Sequence, residues 1–206
     1  MRKFVSEKTA FVILTLTMAL ATVHPAFAGY SGQTKCYDGS KVIPCPKPGE
    51  DYYGQDGNYT NLNPRSYTKL DKNGNELPDS ATSWVMVRDN VTGLFWEVKT
   101  YESRYNTYTW YDAKDFINAL NTENFGEHSD WRLPTIRELA SIVNLGKYRP
   151  AIDVEYFPRT RDLYCWSATA YANDTSYAWC VNFTNGDNNA FSKSGRRYVR
   201  GVRSGQ

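Results

Sequence analysis

The sequence predicts an α+β domain in which two helices gather on antiparallel strands. Three observations carry this reading. Apolar runs joined by Asn-Gly and Thr-Gly turns fill residues 67–98, two segments of helical period follow between 109 and 143, and strand-like runs return from Leu163 to Arg203. A chain of 206 residues, 22% charged, 41% hydrophobic and 15% aromatic, holds material for one ordinary domain with some extra chain. So high an aromatic share puts tryptophan and tyrosine in the core.

Residues 1–28 read as a signal peptide. Arg2, Lys3 and Lys8 form its positive start, Thr9 to Val23 its apolar stretch, and Ala26-Phe27-Ala28 supplies small residues for cleavage after Ala28. The apolar run is shorter than the ~20 residues that span hydrocarbon, so no stable membrane insertion is expected. The expected destination is the periplasm, the exterior or the cell surface. Lys and Arg number 24 against 22 Asp and Glu, a formal net charge of +2, but loss of the leader leaves the two signs equal. A neutral protein has no global attraction to nucleic acid.

Export implies an oxidising compartment, where four cysteines favour two disulfides. Three pairings are possible. Local spacing favours Cys36–Cys45, which closes a small loop, and Cys165–Cys180, because these two are equidistant from the turn-like Asn173-Asp174. Residues 29–66, rich in Gly, Pro, Tyr and Asn, read as an irregular lead segment held by the first bridge, with 67–206 as the domain proper.

Within that domain the expected strands are Tyr67-Thr68-Lys69-Leu70, Trp84 to Arg88 and Leu94 to Val98. Trp110, Ala113, Phe116, Ile117 and Leu120 recur at helical spacing after Thr109, a candidate N-cap. Thr135-Ile136-Arg137-Glu138 is a capping box that opens a second helix through Leu139, Ala140 and Val143. Pro134 fixes its entry.

Five blocks occur in order: Asp89-Asn90-Val91-Thr92-Gly93-Leu94-Phe95-Trp96, Thr109-Trp110-Tyr111-Asp112-Ala113, Trp131 to Leu139, Cys165-Trp166-Ser167, and Tyr198-Val199-Arg200-Gly201-Val202-Arg203. Together they resemble the Lcl C-terminal domain family, named for the Legionella collagen-like protein and long catalogued as a domain of unknown function. The resemblance implies a C-type-lectin-like fold and a secreted or envelope protein of bacteria. In the namesake it implies adhesion to sulfated polysaccharide. Family members often carry cysteines where this chain holds Ile117 and Gly201, a pair that Cys165 and Cys180 would replace. The collagen-like stalk has no counterpart, since there is no Gly-X-Y run.

Catalytic chemistry finds little support. His128 is the one histidine beyond the leader and reads as a loop residue, which disfavours a Ser-His-Asp hydrolase or a His/Cys zinc site. No motif marks a carboxylate pair for glycoside hydrolysis. Asp71-Lys72-Asn73-Gly74-Asn75 and Asn185-Gly186-Asp187-Asn188 read as turns rather than calcium loops. No cofactor or metal is expected. Trp96, Trp110, Trp131 and Trp166 read as core, Arg132 as a fork tying carbonyls or a carboxylate, and Tyr52, Tyr53, Tyr59 and Tyr67 as the exposed aromatics.

Lys193, Arg196, Arg197, Arg200 and Arg203 form a local basic cluster, which strand alternation divides between two faces. Lys193, Arg196 and Arg197 near the Ser194-Gly195 turn, supported by Tyr198, are the candidate anion-binding residues. The expected function is a non-enzymatic binding or adhesion module for sulfated or other polysaccharide, or for a surface protein. The alternatives are an envelope enzyme related to the formylglycine-generating enzymes and a structural subunit of a surface assembly. Oligomeric state stays open.

Overall fold

The computed structural model describes residues 31–60 and 64–205. The expected leader therefore lies outside the described residues, and no described helix is long and apolar enough to cross a membrane. In chain order the strands are β1 Cys36–Tyr37, β2 Val42–Ile43, β3 Tyr67–Leu70, β4 Glu76–Leu77, β5 Met86–Asp89 and β6 Leu94–Glu97. The helices α1 Ala113–Thr122 and α2 Ile136–Ser141 follow, then β7 Tyr164–Ala170, β8 Tyr177–Asn182, β9 Asn188–Ser192 and β10 Val202–Ser204. This is the expected α+β order, with antiparallel sheets and two helices.

β1 and β2 form a short ribbon closed by the Cys36–Cys45 disulfide. Gly57 packs on that bridge so closely that a Cβ there would stand 2.7 Å from Cys36 Sγ and 2.8 Å from Cys45 Sγ. Only glycine fits without moving the bridge. Around it Tyr52, Tyr53 and Tyr59 are exposed as expected, whereas Tyr67 is buried in the main core.

The larger sheet runs β10-β6-β5-β3-β4. The turn between β3 and β4 forms as its sequence dictates: the Asp71 carboxylate accepts from the amides of Asn73 at 2.8 Å and Asn75 at 2.9 Å, and Gly74 takes the positive φ. On this sheet α1 lays Ile117 and Leu120 against Leu70, Met86 and Trp131. The helix begins at Ala113 after Asp112, and Thr109 acts one turn earlier, its hydroxyl accepting from the Asp112 amide at 3.1 Å. Gly201 sits under α1, where a Cβ would be 2.7 Å from Leu120 Cδ1 and 3.3 Å from Trp131. Packed side chains thus occupy the space that a cysteine at this position would need.

α2 carries the full capping box, with Glu138 N donating to Thr135 Oγ1 and Thr135 N donating to the Glu138 carboxylate at 2.8 Å. Arg132 Nη1 and Nη2 donate to the two oxygens of the same carboxylate at 2.8 and 2.7 Å. The fork expected of Arg132 is formed.

The smaller sheet, β7-β8-β9, corrects the second disulfide. Cys165 and Cys180 are free and buried. Cys165 faces Val181 and Trp166 faces Cys180, one residue away from the pairing that would oppose the two cysteines. An irregularity in β7 between Trp166 and Ala170 offsets the hairpin from simple symmetry about its turn. Because side chains alternate along a strand, the offset sends the two thiols to opposite faces. Cys165 joins Val87, Trp96, Leu139, Phe157 and Val181 in the main core, while Cys180 joins Ala113, Trp166, Ala178 and Val199 on the other side.

Candidate functional site

The chain leaving β6 makes a tight turn. Thr100 N donates to Ser103 Oγ at 3.0 Å and Ser103 N donates back to Thr100 Oγ1 at 3.0 Å. This reciprocal pair sets a short 3-10 segment, Ser103–Tyr105, and leaves Tyr101 63% and Tyr105 54% exposed. Against them lies the loop before β7, where Arg159 Nη1 donates to the carbonyl of Lys99 at 3.2 Å.

The two loops interleave cations and rings. The Arg159 guanidinium stands 4.3 Å from the Tyr101 ring, Arg104 lies 5.0 Å from Tyr101 and 4.5 Å from Tyr105, and Arg161 lies 5.0 Å from Tyr105. All are within the ~6 Å reach of a cation–π contact. Among the described residues no carboxylate lies within 4 Å of Arg104, Arg159 or Arg161. The Nε atoms of all three are buried with no partner. Glu102 lies nearby and stays ionised: hydrogen bonds from Thr100 and from its own amide hold its carboxyl below the usual range, with Arg159 a lesser influence.

The residues expected at the basic turn are dispersed. Lys193 is buried, its Nζ 4.1 Å over the Trp110 ring. Arg197 folds its guanidinium to 4.4 Å over Phe191 and donates to the carbonyl of Arg196 at 2.7 Å. Tyr198 is half-buried against the main core. Arg196 alone of the four is exposed, and its guanidinium donates to the hydroxyl and carbonyl of Thr107, two residues beyond Tyr105. Arg200 is buried, and Arg203 pairs with Asp130 at 2.6 Å. The four predicted residues thus form no common tip, and Arg196 is instead held on Thr107, in the loop that carries Tyr105. Sequence reasoning missed the arginine–tyrosine ladder because its parts lie in two distant loops. The available signal was local interleaving, Tyr101, Arg104 and Tyr105 in one loop and Arg159 with Arg161 in the other.

The remaining candidates are structural. His128 is half-buried, edge-on to Phe95 at 6.5 Å between ring centres, and burial followed by the Arg203 charge lowers its pKa. Trp96, Trp131 and Trp166 are buried, and Trp110 is half-buried with its Nε1 donating to the Ser167 carbonyl at 2.9 Å. Among the described residues no three His, Cys, Asp or Glu side chains gather as a metal site.

The antiparallel sheets thus hold two loops that set three arginines against two exposed tyrosines, and loops held on a scaffold are where binding groups commonly lie. The chain belongs to the Lcl C-terminal domain family, whose model matches residues 85–203. Both loops of the ladder fall inside that match. Membership points to a non-enzymatic extracellular or surface domain. Comparison with curated proteins finds no match.

Proposed function

We propose that the protein is an exported adhesion module that binds acidic polysaccharide through the ladder Arg159–Tyr101–Arg104–Tyr105–Arg161, with Arg196 held on Thr107 of the loop that carries Tyr105. The observation that carries this reading is three arginines stacked on two exposed tyrosines, none of them ion-paired to a carboxylate within 4 Å among the described residues. A guanidinium fork engages an oxyanion with two donors, and an exposed ring supports the flat face of a sugar. The Cys36–Cys45 bridge is compatible with the export that residues 1–28 imply. The C-type-lectin-like architecture implied by the family resemblance belongs to the same proposal.

Exposed ion pairs contribute at most ~1 kcal/mol each and fade with salt, so one module binds weakly and adhesion draws on clustering. Retention on immobilised heparin tests the site. The wild type is expected to be retained at low ionic strength and released near physiological salt, and Arg104→Gln/Arg159→Gln/Arg161→Gln to pass unretained. Lys193→Ala/Arg196→Ala/Arg197→Ala is expected to weaken retention only slightly, through Arg196. Equal retention of wild type and the ladder variant, or indifference to salt, refutes the assignment.

A further inference from the structure

The six tryptophans divide by what the ring nitrogen does. Trp84, Trp110, Trp131 and Trp166 each donate Nε1 to a backbone carbonyl at 2.8 to 2.9 Å, and Trp96 is fully buried in the main core. Trp179 does neither. It is half-exposed, joins none of the buried apolar clusters, and its Nε1 has no partner among the described residues yet is not sealed from solvent. Water satisfies a donor so placed, and a ligand oxygen can take that water's position.

The strand β8 gives the ring its direction. Val181 faces the main core, so Trp179 and Tyr177, at two-residue steps along the strand, continue that face toward the hairpin tip. Opposite Trp179, β7 carries its irregularity, where Ser167 Oγ donates to the Trp179 carbonyl at 2.7 Å. On the other side stand Ala190 and Ser192 of β9, paired with Trp179 and Tyr177 and too small to cover either ring. Tyr171, whose amide donates to the Tyr177 carbonyl at 3.0 Å, meets the indole at 80° with 5.4 Å between ring centres. That perpendicular contact braces the indole without a flat stack upon it.

The surrounding chemistry selects the ligand. From Tyr164 to Ser192 there is no Lys or Arg, and both acids are occupied: Asp174 accepts from Ser176 N at 2.9 Å and Oγ at 2.6 Å, and Asp187 accepts from Asn185 Nδ2. Strands and turns without a cation hold no attraction for sulfate, phosphate or nucleic acid. Asn188, Asn189 and Ser192 supply amides and a hydroxyl beside the rings. Exposed rings bordered by neutral donors and acceptors match a sugar, which has an apolar C–H face and hydroxyls at its rim.

We infer that Tyr177 and Trp179 form a platform for an uncharged sugar residue of a polysaccharide, with Trp179 Nε1 donating to a sugar oxygen. The platform shares no residue with the arginine–tyrosine ladder and does not depend on it.

Affinity electrophoresis of the folded protein through gels holding dextran, mannan, galactan or hydroxyethylcellulose tests the platform. At least one polymer is expected to retard the wild type equally at low and physiological salt, because no ion pair takes part. Trp179→Ala should raise the dissociation constant at least tenfold while melting close to wild type, since the ring belongs to no buried cluster. Trp179→Phe, which keeps a ring and removes the donor, should fall between the two. Should Trp179→Ala fail to fold, Tyr177→Ala and Trp179→Phe still decide. Arg104→Gln/Arg159→Gln/Arg161→Gln should be retarded as the wild type is, so the platform and the ladder fail separately. No retardation by any of the four polymers, retardation that salt abolishes, or retardation unchanged in Trp179→Ala overturns the platform. A wild type that is not retarded but sediments as a dimer, which Trp179→Ala dissociates, overturns it too and gives the ring to a second copy of the chain.

Discussion

Glu138 does three things with one carboxylate: it caps the first turn of α2, accepts the Thr135 hydroxyl and receives both nitrogens of Arg132. Burial alone raises its pKa, but the Arg132 hydrogen bond and the Thr135 amide outweigh burial and hold it below the usual carboxylate range. A carboxyl so depressed stabilises the fold above its unfolded pKa of ~4.3 and loses that contribution as pH falls through the folded value. Glu138→Gln is expected to lower stability by about 1 kcal/mol near neutrality, discounted because Arg132 is partly exposed. The gap from wild type should shrink as pH is taken down to about 3, as thermal melts will show. The cysteines give a second residue-scale expectation. Burial raises both free thiols, so neither Cys165 nor Cys180 should react in the native protein. After denaturation without reductant, alkylation should mark these two and leave Cys36 linked to Cys45; a peptide joining Cys165 to Cys180 would refute the register.

At the level of elements, what was legible in the sequence was what short-range chemistry decides. The capping box, the Asp71 turn, the helical face of Ile117 and Leu120 and the closed loop of Cys36 and Cys45 each depend on residues within about ten positions of one another. The β7–β8 pairing was less legible. Its turn is local, but its register is set by two buried faces together, and Trp166 and Val181 compete for the same alignment as the cysteines. The approach of α1 to the strand bearing Gly201 makes a further test. Any side chain there must displace Leu120, so Gly201→Cys should cost about 1–3 kcal/mol by overpacking, measured by denaturant melts. No bridge to residue 117 should form unless Ile117 is also replaced.

On the scale of the whole molecule, the candidate site became visible only once the fold had joined loops 99–107 and 159–163. Neither loop has a hydrophobic period, and cation–ring contacts between them leave no mark on either alone. The basic cluster at 193–203 was conspicuous in one dimension and is mostly consumed by folding: Lys193 lies against Trp110, Arg197 lies over Phe191 of β9, and Arg203 pairs with Asp130. The pairing of β6 with β10 has a consequence in time. On one side β6 pairs with the nearby β5, but on its other side residues 94–96 find their neighbour only at 202–204, and the Glu97 amide donates to Gly201 O at 3.0 Å. So distant a contact requires a long loop to close before any reward arrives, which slows folding. A chain still emerging from the ribosome holds the larger sheet open at that edge until Val202 is made. Truncation before Val202 should therefore yield a species without a cooperative melt, whereas the same chain extended through Ser204 should refold in a single slow phase governed by this closure.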